Sequence, residues 1–273
     1  PKRRELYVDE QPIWKEYDEL DVEDLVVQRG QSILIEGIAG TGKTTILKKC
    51  VEELRLRGKK VDIISKTHTA SSRAGGVTCD HYVRRAILHG CCTADVIWID
   101  EISQIEVTLW AQLQKLKNKK WLLSGDFNQF PPIFNAWKGD YVSEDAFQKS
   151  WLLHELAGGN RAILRTCRRS DTQLYDFYSS LILGGARFNL RLADVIAEAR
   201  SQFKFSGTAR HNLVISHKKR VAINRKVNSE LRPEGAILIR VNPEKGQLAA
   251  AQNLFIWEGI ELLGCTQAAR KGI

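Results

Sequence analysis

Residues Gly37–Thr44 read G-I-A-G-T-G-K-T, directly after the apolar run Ile33-Leu34-Ile35 and directly before a helical pattern. This string constrains the fold more than any other, because it works only between a strand that delivers the chain to a tight turn and a helix that leaves it. Its glycines let the backbone curl until successive N–H groups point at one anion. The helix N-terminus adds its partial positive charge. Gly37, Ala39, Gly40, Thr41, Gly42, Lys43, Thr44 and Thr45 are therefore the candidate nucleotide-binding residues. Lys43 can reach the β- and γ-phosphates, and the Thr44 hydroxyl can hold Mg²⁺. A chance glycine turn would not explain a strand and a helix both in register. The loop implies a nucleoside triphosphate such as ATP.

The rest of the chain alternates short apolar runs with helical stripes. Strand-like runs are Ile33–Glu36, Val61–Ser65, Val96–Asp100, Trp121–Ser124, Trp151–Leu156, Ala162–Leu164, Leu213–Ser216 and Ile237–Val241. Most are continuously apolar, as expected of strands covered on both faces. Between them, Ile46, Leu47, Cys50, Val51 and Leu54 form one helical stripe. Others are Leu109, Leu113 and Leu116; Leu174, Phe177, Tyr178 and Leu181; Leu192, Val195, Ile196, Ala199 and Phe203; and Val221, Asn224, Val227 and Leu231. Such alternation predicts an α/β fold with parallel sheets and crossover helices, with ligands at the carboxyl ends of the strands. The Gly158-Gly159 turn is the expected domain boundary, giving domains at 1–158 and 159–273.

Composition excludes several classes. No apolar stretch is long enough to span a membrane, and Pro1-Lys2-Arg3-Arg4 leads into acidic sequence rather than a signal peptide. The six cysteines form no C-x-x-C pair, which argues against a zinc site. Reduced thiols fit an intracellular protein. The chain begins with Pro and contains no Met, and is read as part of something longer. Net charge is +9, unevenly placed: residues 1–36 carry 5 Lys/Arg and 10 Asp/Glu, so the remainder is strongly basic. A basic body suits a polyanionic partner, or serves only as a solvated surface.

Two further strings carry chemistry. Val96–Asp100 is an apolar strand that ends in Asp100-Glu101. In a phosphate-loop enzyme Asp100 would hold Mg²⁺, directly or through water, and Glu101 would act as general base on the attacking water. Farther on, Leu122–Ile133 reads L-L-S-G-D-F-N-Q-F-P-P-I. Gln129 at a sheet edge could sense the γ-phosphate, and the stiff Pro131-Pro132 could transmit a small shift rigidly.

In order, G-I-A-G-T-G-K-T, D-E-I-S and G-D-F-N-Q-F-P-P-I resemble motifs I, II and III of superfamily 1 helicases, most closely the Pif and RecD type. The resemblance implies an ATP-dependent motor on single-stranded DNA, with RNA not distinguished. Its fold would be a P-loop NTPase with two RecA-like parallel-sheet domains, the second incomplete. Ser65–Ser71 resembles motif Ia, and Thr78–Tyr82 the T-x-H segment after it. Thr67, His68, Thr78 and His81 then become candidate nucleic-acid contacts, with helix packing the alternative for His81 and Tyr82. Leu164–Asp171 resembles motif IV, with Arg168 at the arginine that reaches the γ-phosphate from the second domain; Arg169 is the alternative. Lys218, in the basic run Lys218-Lys219-Arg220, is a candidate DNA contact or a solvated helix face. Gln28 and Gln11 are candidates for the adenine-reading glutamine. The resemblance places motifs V and VI beyond Ile273, so weak or absent unwinding is expected of these residues alone.

Overall fold

In the computed structural model, the residues described are 11–116, 118–143, 145–182, 184–204, 212, 214, 216–240 and 252–260. They divide into two compact units, one running to Arg191 and one from Leu192 onward.

The first unit is built on a seven-stranded sheet in which every strand pair is parallel. Its strands are β1 (Lys15–Tyr17), β2 (Ile33–Gly37), β3 (Val61–Ser65), β4 (Val77–Thr78), β5 (Val96–Asp100), β6 (Lys120–Gly125) and, after the small antiparallel pair β7 (Ala136–Trp137) and β8 (Asp140–Tyr141), β9 (Asn160–Leu164). The spatial order is β1-β9-β2-β6-β5-β3-β4. The phosphate-loop strand β2 is therefore central, with β6 between it and the carboxylate-bearing β5. This is the RecA-like P-loop NTPase arrangement.

Helices cover both faces. They are α1 (Lys43–Leu56), α2 (His68–Ala74), α3 (Cys79–Tyr82), α4 (Val107–Leu113), α5 (Trp151–Leu156) and α6 (Thr172–Ser179). Because successive strand residues point to opposite faces, the central strands supply two cores. Ile33 and Ile35 join Leu47, Cys50, Val51, Leu54 and Trp98 on the α1 side. Leu34, Ile97, Ile99 and Leu123 join Trp110, Leu113, Leu153 and Leu156 on the other. Burial within the α1 core pushes the Cys50 thiol up to about 11, so it behaves as a small apolar residue. Leu47 is fully buried between α1 and the sheet. We expect Leu47→Ala to cost about 2–5 kcal/mol, read as a lower urea midpoint at unchanged slope; a neutral result would contradict the packing of α1.

Three features depart from the sequence expectation. Trp151–Leu156 is a helix rather than a strand. The Ser150 hydroxyl caps it by accepting from Leu153 N–H at 3.1 Å. Leu153 and Leu156 are buried while Trp151 is 49% exposed, a helical period. The unit boundary falls at Arg191 rather than at Gly158-Gly159. That turn joins α5 to β9, and Ala162 and Leu164 are buried where β9 inserts between β1 and β2. In the second unit, the described residues form α7 (Leu192–Gln202), α8 (His217–Leu231) and an antiparallel pair, β10 (Ile237–Ile239) with β11 (Leu254–Ile256). The Leu213–Ser216 run lies partly outside the described residues.

Candidate phosphate site

The carboxyl ends of β2, β5 and β6 meet where α1 begins. Gly42 caps α1 with φ +96°, a left-handed conformation that a side chain would strain. At Gly37, a Cβ would lie 2.7 Å from both Leu164 O and Thr41 Oγ1, so only glycine fits where β2 passes β9. Thr41 is buried, and its hydroxyl donates to Ile38 O at 2.8 Å, closing the turn from inside. Thr45 N–H donates to Gly42 O at 3.0 Å as the helix begins.

Lys43 is only 8% exposed. Its ammonium donates to Gly37 O at 2.6 Å and Ile38 O at 3.3 Å, held along the loop. Burial lowers its pKa; the charges of Asp126, Glu101 and Asp100 oppose this and Arg169 adds to it. Three carboxylates and one guanidinium therefore share the electrostatic field of this lysine.

Thr44 Oγ1 lies 3.2 Å from Asp100 Oδ2, across 56 residues of sequence. Two hard oxygen donors at that separation suit a divalent cation such as Mg²⁺, which favours carboxylate and hydroxyl oxygens. Glu101 follows with φ +57°, a sparsely populated conformation for a side chain of its size. That reversal ends β5 and turns the next residue away from the strand direction. Gln129 Nε2 lies 3.5 Å from Asp126 Oδ2, and Asp126 also accepts from Asn128 N–H at 3.0 Å. The G-D-F-N-Q string thus folds around the Asp126 carboxylate, which the sequence reading did not single out.

Residues 165–178 also return to the loop. Arg168 N–H donates to Gly40 O at 2.9 Å, and Tyr178 Oη donates to Ala39 O at 3.1 Å. The sequence expectation had Arg168 arriving from a second domain. It instead belongs to the unit that carries the loop, because β9 runs directly into this segment. The Arg168 guanidinium pairs with the Glu19 carboxylate, whereas Arg169 is the arginine whose charge acts on Lys43.

Of the candidate nucleic-acid residues, Thr67, His68, Thr78 and His81 lie at or just after the carboxyl ends of β3 and β4 in the same sheet. Thr67 caps α2, its hydroxyl accepting from Ala70 N–H at 3.1 Å, and Thr78 caps α3 by accepting from His81 N–H at 3.4 Å. His68 and His81 are exposed. Tyr82 is not available for stacking: it is buried, and its hydroxyl donates to Asp62 at 2.9 Å. Lys66 is bound to Glu106 at 2.8 Å and Asp80 at 3.1 Å, tying β3 to the starts of α3 and α4. Lys218 is exposed on α8 in the second unit. Gln28 accepts from Arg57 at 3.0 Å, and Gln11 is exposed.

Sequence reading missed an aromatic feature. Phe130 and Phe134 are 90% and 80% exposed, and with Pro131, Pro132 and Ile133 they line a groove shared with Lys66, Thr67, Gln104 and Glu106. The signal was present as F-P-P-I-F, an apolar run too rich in proline for a strand.

Residues 21–139 match the model of a family described as an AAA domain. The chain is 29% identical to the human ATP-dependent DNA helicase PIF1 over 154 residues, covering 46% of this chain and 23% of that protein. It is 26% identical to the ATP-dependent DNA helicase RRM3 of Saccharomyces cerevisiae over 200 residues, 60% of this chain and 27% of that protein. The chain thus spans about a quarter of the length of these curated relatives. The fold is similar to the crystal structure of Pif1 helicase from Candida albicans (TM-score 0.59, 18% identity, 87% of this chain and 62% of that one). It is also similar to that of Bacteroides Pif1 bound to single-stranded DNA (TM-score 0.55, 18% identity, 87% and 62%). These matches bear out the resemblance to Pif-type superfamily 1 helicases.

Proposed function

We propose that this chain is the ATP-hydrolysing core of a Pif-like DNA helicase, acting on single-stranded DNA inside the cell. The observation that carries the reading is the meeting of Thr44 and Asp100 beside Lys43 at the carboxyl ends of β5 and β2. The relatives' names supply the activity class: ATP-dependent DNA helicases.

The triphosphate would lie along the loop, its β- and γ-oxygens taken by the loop amides and by the Lys43 ammonium. Thr44 and Asp100 would hold Mg²⁺, which when bound neutralises charge on the β- and γ-oxygens. Glu101 would accept a proton from the attacking water, and Gln129 would contact the γ-phosphate from the end of β6. The backbone N–H of Arg168 ties this segment to Gly40 of the loop, and Arg168 or its neighbour Arg169 would stabilise charge on the separating phosphoryl group. Hydrolysis performs work only if the nucleotide states differ in affinity for DNA.

For the DNA, Thr67 and Thr78 offer hydroxyls at helix starts for phosphate oxygens, with His68, His81 and Lys218 as further contacts. Phe130 and Phe134 offer exposed ring faces for bases. The test is ATP turnover with and without an oligothymidylate. Turnover should rise with the oligonucleotide, and the double variant Phe130→Ala/Phe134→Ala should bind it more weakly by about 1–3 kcal/mol per lost stacking contact. ATP turnover indifferent to DNA and RNA would instead favour a P-loop ATPase directed at protein.

A further inference from the structure

We propose that Ser124 is a positioning residue that fixes the Asp100 carboxylate for metal holding, and that the buried indole of Trp98 sets its direction. The proposal rests on the nucleotide–Mg²⁺ reading above and deepens it.

The three residues lie on neighbouring strands. β5 pairs with β6 in a register that puts Ile99 beside Leu123, so Ser124 comes level with the end of β5. Trp98 and Ser124 are fully buried and Asp100 nearly so. Trp98 Nε1–H donates to Ser124 Oγ at 2.9 Å. Ser124 Oγ lies 2.7 Å from Asp100 Oδ1 and 3.4 Å from Ile99 O.

Donor chemistry makes this chain run one way. An indole N–H can only donate, so Ser124 must accept on that side. A serine hydroxyl has one proton to give. The charged oxygen at 2.7 Å wins it over the neutral carbonyl at 3.4 Å, because a charge-assisted bond is shorter and stronger. Asp100 Oδ1 also accepts from Glu101 N–H at 3.1 Å. One carboxylate oxygen is thus anchored by two donors, and the other, Oδ2, is left beside Thr44 Oγ1 at 3.2 Å. The anchor stops rotation of the carboxylate about its Cβ–Cγ bond. A cation that demands near-ideal octahedral geometry rewards such a fixed ligand.

The experiment measures binding of a fluorescent ATP analogue to the whole chain as Mg²⁺ is titrated, with an EDTA baseline. Mn²⁺ binding followed by electron paramagnetic resonance gives a second readout. For Ser124→Ala we expect the half-saturating Mg²⁺ and Mn²⁺ concentrations to rise about 10-fold or more, the usual cost of losing an outer partner of a metal ligand. Analogue affinity in EDTA should stay unchanged. Trp98→Phe keeps an aromatic ring of smaller size but loses the indole N–H, so it should raise the metal requirement less than Ser124→Ala; it also carries the test if Ser124→Ala fails to fold. A wild-type metal requirement in the folded variants would overturn the proposal. So would an equal loss of analogue affinity with and without metal, which marks a purely structural role. If the unaltered chain binds the analogue with no metal dependence, the Mg²⁺ reading itself falls, and the proposal with it.

Discussion

Replacing Lys43 with alanine is expected to lower ATP turnover by at least about 10²–10³-fold, the scale seen when one preorganised charge-stabilising donor is removed. Two features make the effect large. The ammonium is only 8% exposed, so its attraction for phosphate oxygens is weakly screened by water. Its hydrogen bonds to Gly37 O and Ile38 O hold it along the loop before any ligand arrives, which reduces the ordering cost of binding. The fold should survive: the core of α1 rests on Leu47, Cys50, Val51 and Leu54, none of which the change touches. Circular dichroism should match the unaltered chain while turnover and triphosphate affinity both fall. Unchanged turnover in the folded variant would remove the phosphate-loop assignment.

The second large effect is expected at Glu101. Glu101→Gln keeps the size and shape of the side chain but removes its capacity to take a proton. Turnover should fall by about 10²–10⁴-fold, the usual contribution of a general base. Nucleotide affinity should hold, because Lys43, Thr44 and the loop amides are untouched. The φ of +57° makes this position unusual, since a side chain in that conformation carries strain of order 1–3 kcal/mol. Strain of that kind persists where the surrounding structure enforces it, here between the end of β5 and the turn at Ile102–Gln104. If Glu101→Gln binds nucleotide as weakly as Lys43→Ala, Glu101 shapes the site rather than the chemistry.

Both variants act at positions legible in the sequence. Much of the first unit was legible too, for a local reason. The runs at Ile33, Val96 and Trp121 are continuously apolar and the one at Val61 is broken only by Asp62, because strands covered on both faces bury most of their residues, and all four are strands. Helix stripes repeat because only one face of α1 or α6 meets the core. Trp151–Leu156 broke the pattern because six residues are too few to separate a buried strand from a buried helix. The Ser150 cap decides it.

What the sequence alone determined is the set of local devices: the glycines of the loop, the lysine and threonine that follow, and the carboxylates at a strand end. These depend on neighbours in the chain, so spacing reveals them. Only the tertiary structure decided which distant groups meet. It placed Asp100 against Thr44 across 56 residues, and brought Arg168 and Tyr178 back onto the loop from within the same unit. It exposed Phe130 and Phe134 while burying Tyr82. It also joined Trp98, Ser124 and Asp100 through the pairing of β5 with β6. The physical reason is common to all four. Side-chain burial and long-range hydrogen bonds are set by strand order and register, and one chain's local pattern is compatible with many orders.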